Sequence, residues 1–176
     1  NQLDSIGAQA VGFSDAISAQ FYERYGDVQA FSRHTDVKAL DKQKIPLILN
    51  EYAALYGIYD LIMVLDKEGN LIGTNTKSPS GEVIKTEALF AKNYKSYDWF
   101  QKALKGEFSE QKESGLVGSY VEDPSFDSFI EAAYGRPTYA SSFSTQIKDD
   151  SGNIIGVITN RANFKWIDGE AQSLYL

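Results

Sequence analysis

Gln146-Ile147-Lys148-Asp149-Asp150-Ser151-Gly152-Asn153-Ile154-Ile155-Gly156-Val157-Ile158-Thr159-Asn160 reads as a β-hairpin. Asp149 to Asn153 is a cluster of turn formers, and Gly152 accepts positive φ at no steric cost. Ile154, Ile155, Val157 and Ile158 are β-branched and suit a half-buried strand. A shorter echo lies upstream at Leu65-Asp66-Lys67-Glu68-Gly69-Asn70-Leu71-Ile72-Gly73-Thr74-Asn75. Both follow Asp-x-x-Gly-Asn-(Leu/Ile)-Ile-Gly. Two similar hairpins with helical sequence between them point to one antiparallel sheet whose strands arrive in two batches.

The N-terminal side shows a stripe at a spacing near 3.5, Leu3, Ile6, Ala10, Phe13, Ile17, Gln20 and Phe31, apolar but for Gln20, with Val11, Phe21, Tyr25 and Val28 beside it. This reads as one amphipathic helix from Asn1 to Arg33, although Gly7, Gly12 and Gly26 each weaken a helix interior. A helix of that length supports a dimer interface or carries a signal; the alternative is a helix lying across a sheet. His34-Thr35-Asp36 ends it, with Thr35 or Asp36 as the next cap. His34 is the only histidine and reads as a surface helix-end residue. Pro46 opens a second helix to Tyr56, with Leu47, Ile48, Tyr52 and Leu55 on one face and Gly57 just past its end. Tyr59 to Leu65 is a dense apolar strand, and Leu71 to Asn75 returns from the first turn.

The middle is helical and loop-rich. Lys77 to Val83 is a loop, Thr86 to Tyr94 a helical turn, and Ser96 caps a short helix from Tyr97 to Lys105 that Gly106 ends. Glu107 to Ser114 is polar and exposed. Leu116 to Val121 reads as a strand. Asp123-Pro124 starts a further helix, with Gly135 after it. Pro137 to Phe143 is a strand leading into the hairpin, and Asn163 to Leu176 is a final helix or tail. The whole is α+β, an antiparallel sheet flanked by helices.

Composition narrows the function. A length of 176 residues suits one domain, and the net charge of −7 argues against a nucleic-acid face. The chain has no cysteine, which excludes disulfides, Cys-based metal sites and thiol catalysis. Beginning at Asn1 without Met, it reads as a segment of a longer protein, with any membrane helices outside it. No phosphate loop, dinucleotide fingerprint or zinc signature is present, so no cofactor or metal is expected and no enzyme. The paired acids Glu122-Asp123 and Asp149-Asp150 are explained by turn and cap chemistry.

Aromatics offer a binding site instead. Tyr94, Tyr97, Trp99 and Phe100 place rings and hydroxyls beside the sheet, and Tyr120, Arg136, Tyr139 and Ser141 come from regions expected to wall the same cavity. Hydroxyls and a cation orient a small carboxylate while rings exclude water. Trp99 and Phe100 also read as core anchors of their short helix.

The long N-terminal helix, the Tyr59–Asn75 hairpin, Tyr97-Asp98-Trp99-Phe100-Gln101-Lys102-Ala103 and the closing Asp149–Gly156 hairpin together resemble the Cache domains. These are PAS-like extracytoplasmic sensors of bacterial chemoreceptors and sensor kinases. The resemblance covers nearly the whole chain and is to the single-module form. It implies a five-stranded antiparallel PAS-like sheet, with a ligand held between the sheet and a short helix over one face. It divides residues 1–176 into a helix (1–33), a sheet-containing core (59–160) and a segment leading to the membrane (163–176). It further implies a periplasmic location, membrane anchoring through segments outside the chain, a homodimer through the N-terminal helix, and a small organic acid or amino-acid-like ligand. Amino-acid-binding members begin the short helix with Arg-x-Trp-Tyr-x-x-Ala. Trp99 and Ala103 match that pattern, Phe100 stands at the Tyr, Tyr97 at the Arg, and Lys92 at a further Tyr five residues earlier. A smaller carboxylate held by Tyr hydroxyls with Arg136 or Lys95 fits those departures. The rival readings are a ligand-free PAS-like module for dimerisation or a protein partner, and a cytoplasmic PAS domain holding haem or flavin.

Overall fold

The computed structural model describes residues 15–165. The first fourteen positions of the expected N-terminal helix, and residues 166–176 of the expected final segment, lie outside the described residues. Helix α1 (Asp15–Ser32) runs through Gly26 without a break. Its core-facing stripe is Phe21, Tyr25, Val28 and Phe31 rather than the register through Gln20. Directly after Arg33, α2 (Thr35–Lys38) is capped by His34 itself, whose Nδ1 accepts from the Asp36 N–H at 3.1 Å. The imidazole supplies the acceptor that Thr35 or Asp36 was expected to give. Helix α3 (Ile45–Tyr56) takes Pro46 in its first turn and ends at Gly57 with φ 76°. Its buried face is Ile45, Leu49 and Ala53, and Leu47 and Leu55 point to solvent. A stripe one residue out of the expected phase satisfies the same helical spacing, and contact with the sheet decides between them.

Strand β1 (Tyr59–Asp66) and β2 (Leu71–Thr74) form the first hairpin, β3 (Tyr120–Phe126) is an edge strand, and β4 (Tyr139–Lys148) and β5 (Ile154–Ala162) form the second. The sheet is antiparallel throughout, in the order β2-β1-β5-β4-β3. The two halves of the sequence thus meet at the β1–β5 pairing, with β5 at the centre. The repeated turn has one chemistry. Asp66 Oδ1 accepts from the N–H groups of Glu68 and Asn70, and Asp149 Oδ1 from those of Ser151 and Asn153, all at 2.9 Å. In each, the Asn side chain donates to the second Asp oxygen at 3.2 Å. The aspartates close turns, and these backbone N–H groups hold the Asp149 carboxyl below the usual carboxylate range. The Gly that ends the motif has its own reason at Gly156, where a Cβ would lie 2.1 Å from the Leu65 carbonyl oxygen.

Between the hairpins lie α4 (Glu87–Phe90), α5 (Asp98–Lys105), a 3-10 turn at Lys112–Ser114 and α6 (Ser128–Tyr134). Tyr97, not Ser96, is the N-cap residue of α5, and it caps through its extended backbone alone. The strand expected at Leu116–Val121 starts at Tyr120, since Leu116 is turned back to bridge Gln111. Asp123-Pro124 continues that strand instead of starting a helix. The β3–β4 register shifts between Glu122 and Ser125, and a bulge on an edge strand tolerates the missing proline N–H. The helix begins four residues later, where Asp127 accepts from Phe129 and Ile130 N–H at 2.9 and 3.0 Å.

The sheet has two covered faces. On one, α1 and α3 pack on Ile62, Val64, Phe143, Ile147 and Ile158. On the other, α4, α5 and α6 bring Leu89, Phe100, Phe129 and Ile130 onto Leu61, Met63 and Val157. A segment after α5 links the layers. Tyr25 of α1 donates to the Ser109 carbonyl at 2.6 Å and accepts from the Ser119 N–H at 3.2 Å, and Gln29 donates to the Val117 carbonyl at 2.8 Å. No helix among the described residues is long and apolar enough to cross a membrane.

Candidate ligand site on the α5–α6 face

Strand pairing sets a row of polar residues across the second face. Arg161 lies opposite Ser142, and Ser142 opposite Glu122. Ser142 Oγ donates to Glu122 Oε1 at 2.7 Å. Arg161 rises from the end of β5 into the layer of rings supplied by α5 and α6 and is only 5% exposed. Its Cζ stands 4.6 Å from the centre of the Trp99 ring and 4.9 Å from that of Phe129. Its Nη1 donates to Asp127 Oδ2 at 3.0 Å and lies 3.9 Å from Glu122 Oε1. Asp127 therefore caps α6 with one oxygen and holds Arg161 with the other.

Three N–H groups in this cluster have no acceptor among the described residues: Arg161 Nε, Arg161 Nη2 and Trp99 Nε1, all buried. Buried donors are nearly always satisfied, and an unmet one costs about 1–3 kcal/mol, more on a charged group. All three sit on two touching side chains and are open to an acceptor. Tyr97 stacks on Trp99 with centroids 6.1 Å apart at 24°, and Tyr94 meets the same indole at 6.2 Å. Burial pushes the Tyr94 hydroxyl up to about 12, so it stays a neutral donor, to the Leu89 carbonyl at 2.8 Å. Tyr120 donates to Asp98 Oδ2 at 3.2 Å, at the rim of a cleft of about 560 Å³ that both residues line with Lys102 and Phe108. The carboxylates Asp98, Glu122 and Asp127 share this face with the buried cation Arg161, and Lys102 lies at its rim beside Asp98. The cluster therefore presents donors for an anionic group beside acceptors for a cationic one.

The residues expected from the sequence divide. Tyr94, Tyr97, Trp99, Phe100 and Tyr120 all come to this face, with Phe100 buried edge-on to Trp99 at 6.1 Å. Ser141 points to the other side: it pairs with Ala162 and its Oγ donates to the Glu122 carbonyl at 3.0 Å. Tyr139 stands half-exposed at the start of β4, edge-on to Phe126 at 4.6 Å. Arg136 is exposed, 5.3 Å over the Tyr134 ring, and lines a separate cleft of about 270 Å³. Lys95 is engaged with Glu68 at 3.4 Å. Arg161, Asp127, Phe129, Ser142 and Glu122 are the additions. Their one signal in the sequence is Thr159-Asn160-Arg161, a polar run continuing an apolar strand that has not yet ended. Among the described residues no group of His, Cys, Asp or Glu could hold a metal ion.

The five-stranded antiparallel sheet with helices on both faces is a PAS-like fold, and solved sensor domains share it. The sensor domain of the Vibrio cholerae histidine kinase DctB superposes with a TM-score of 0.64 at 14% identity over 97% of this chain and 59% of that one. The ligand-binding domain of the Pseudomonas aeruginosa amino-acid chemoreceptor PctC, in complex with GABA, gives 0.61 at 12% identity over 99% of this chain and 66% of that one. That of the Campylobacter jejuni chemoreceptor Tlp3, with 4-methylisoleucine, gives 0.61 at 15% over 96% and 61%. The chain thus spans about three fifths of the length of these domains. No family model and no curated protein matches it.

Proposed function

We propose that this chain is the extracytoplasmic ligand-binding module of a membrane-anchored bacterial signalling receptor, a chemoreceptor or sensor kinase, and that residues 1–176 form one such module. Arg161, Trp99 and Asp127 form the heart of its site, with Tyr97, Phe129 and Tyr120 around them. The observation that carries this reading is the trio of buried, unmet N–H donors on Arg161 and Trp99. They fit a carboxylate. Asp127 and Glu122, beside them, fit an amine, so the favoured ligand is a small amino-carboxylate rather than a simple organic acid. The solved sensor domains crystallised with L-serine, GABA and asparagine support that class. The periplasmic location, anchoring outside the chain and pairing of two copies through the N-terminal helix complete the proposal. A ligand then acts by binding one arrangement of α1 against the sheet better than another.

The test is a thermal-shift screen of amino acids, short ω-amino acids, and small mono- and dicarboxylates on wild-type protein and on Arg161→Met. At a hundred times its dissociation constant a ligand stabilises by about 2.7 kcal/mol. The proposal expects an amino-carboxylate to raise the wild-type melting temperature and leave Arg161→Met unmoved. It fails if no compound shifts the wild type, or if both proteins respond equally.

A further inference from the structure

A second cleft, of about 450 Å³, lies away from Arg161, where the end of α1 meets the tip of the second hairpin. It forms because β3 pairs β4 only as far as Ser144, which leaves the upper part of β4 without an outer neighbour. Cations reach it from three elements: Arg33 after α1, Lys38 in α2 and Lys148 at the end of β4. This convergence stands out in a chain of net charge −7. Two carboxylates also line the cleft, and both are engaged. Asp149 closes its turn, and Asp150 pairs with Lys38 at 2.5 Å. Arg33 and Lys148 form no ion pair and no side-chain hydrogen bond with the described residues.

The floor is held in place independently of these cations. Thr145 Oγ1 donates to the Gly118 carbonyl at 2.7 Å, and Gln146 Nε2 to the Leu104 carbonyl at 3.0 Å. Phe108 supplies an apolar wall. The cleft carries three cations against two carboxylates, and its two cations without an ion pair, Arg33 and Lys148, favour an anion that reaches both. Charge-assisted hydrogen bonds from Arg and Lys give such a contact its strength.

We propose that this cleft is a second binding site, for a small doubly charged anion carried as a dicarboxylate or a phosphoryl group. The anion bridges Arg33 and Lys148 with Lys38 beside it, and so fastens the end of α1 to the hairpin tip. The proposal stands apart from the Arg161 site and survives that site's failure. It is tested by titrating ¹⁵N-labelled protein with inorganic phosphate, and separately with succinate, at constant ionic strength. Saturable shifts of the Gly118, Thr145 and Gly152 amides are expected with at least one anion, and which one names the chemistry. Arg33→Gln/Lys148→Gln changes only exposed side chains and weakens that binding about tenfold, the equivalent of about 1.4 kcal/mol. Arg161→Met leaves it unchanged. Shifts with neither anion, or shifts of equal affinity in the double variant, overturn the proposal.

Discussion

Asp127 is the residue whose replacement says most about how the proposed ligand face is held. Its side chain is 5% exposed and that of Arg161 6%, and their 3.0 Å contact is the one side-chain hydrogen bond Arg161 makes among the described residues. Breaking a buried pair from one side costs about 3–5 kcal/mol, because the remaining charge stays buried and uncompensated, whereas an apolar pair in its place is often neutral. Asp127→Asn keeps a good helix cap, so it removes the pair and little else. With Glu122 3.9 Å away to take up part of the charge, its cost falls at the lower end, about 3 kcal/mol. Arg161→Met costs about the same by leaving the carboxylate alone. The double variant has no stranded charge and costs about 1 kcal/mol. The coupling between the sites is therefore about 4–5 kcal/mol, read from urea denaturation midpoints at constant slope. A double variant as destabilised as the sum of the single ones would refute the reasoning, since it would mean that Asp127 and Arg161 act on stability separately.

Other outcomes follow from the fold. Tyr25→Phe strands the buried Ser119 N–H and releases the Ser109 carbonyl, so it lowers stability by about 1–3 kcal/mol and speeds amide exchange across residues 107–119. Unchanged exchange there would contradict the link between α1 and that segment. Gly156→Ala drives a methyl into the Leu65 carbonyl and costs about 3 kcal/mol or more by thermal melting; a change below about 0.5 kcal/mol would show that the β1–β5 approach is looser than described. Asp27 has a carboxyl raised above the usual range by burial, against the hydrogen bond from Tyr59 at 2.5 Å and the nearby Arg24. A raised folded-state value means the folded chain holds the proton more tightly. That contribution is therefore lost as pH rises from about 4 through the folded value. Asp27→Asn removes this slope, so the stability difference between wild type and variant shifts in the variant's favour over that window, and a pH-independent difference would contradict it.

Much of the architecture was legible because the repeated Asp-x-x-Gly-Asn turn and the β-branched run after it are local signals. The turn needs only its own side chains, as the matching hydrogen bonds of Asp66 and Asp149 demonstrate. The face proposed for the ligand was half legible. Trp99 and Phe100 lie on one short helix with Tyr94 and Tyr97 just before it, where nearness in sequence brings them together. Tyr139 and Ser141 stand on a strand whose two faces are both buried, so alternation does not say which one meets the ligand. A single position separates Ser141 from Ser142. Arg161 went unread because a charged residue after an apolar strand resembles a return to solvent. Its burial is fixed by the docking of α5 and α6, long-range contacts that no local pattern encodes. Pro124 misled for the converse reason, since Asp-Pro suits a helix start as well as it suits a bulged edge strand.

The central claim is that Arg161 and Trp99 offer their unmet N–H groups to a ligand. The indole N–H resonance of Trp99 reports on it directly, and the chain has only two tryptophans to assign. On saturation with the amino-carboxylate that most stabilises the protein, this resonance moves strongly downfield, and in Arg161→Met it stays put. Tight binding by calorimetry with the Trp99 indole resonance unmoved would contradict the account.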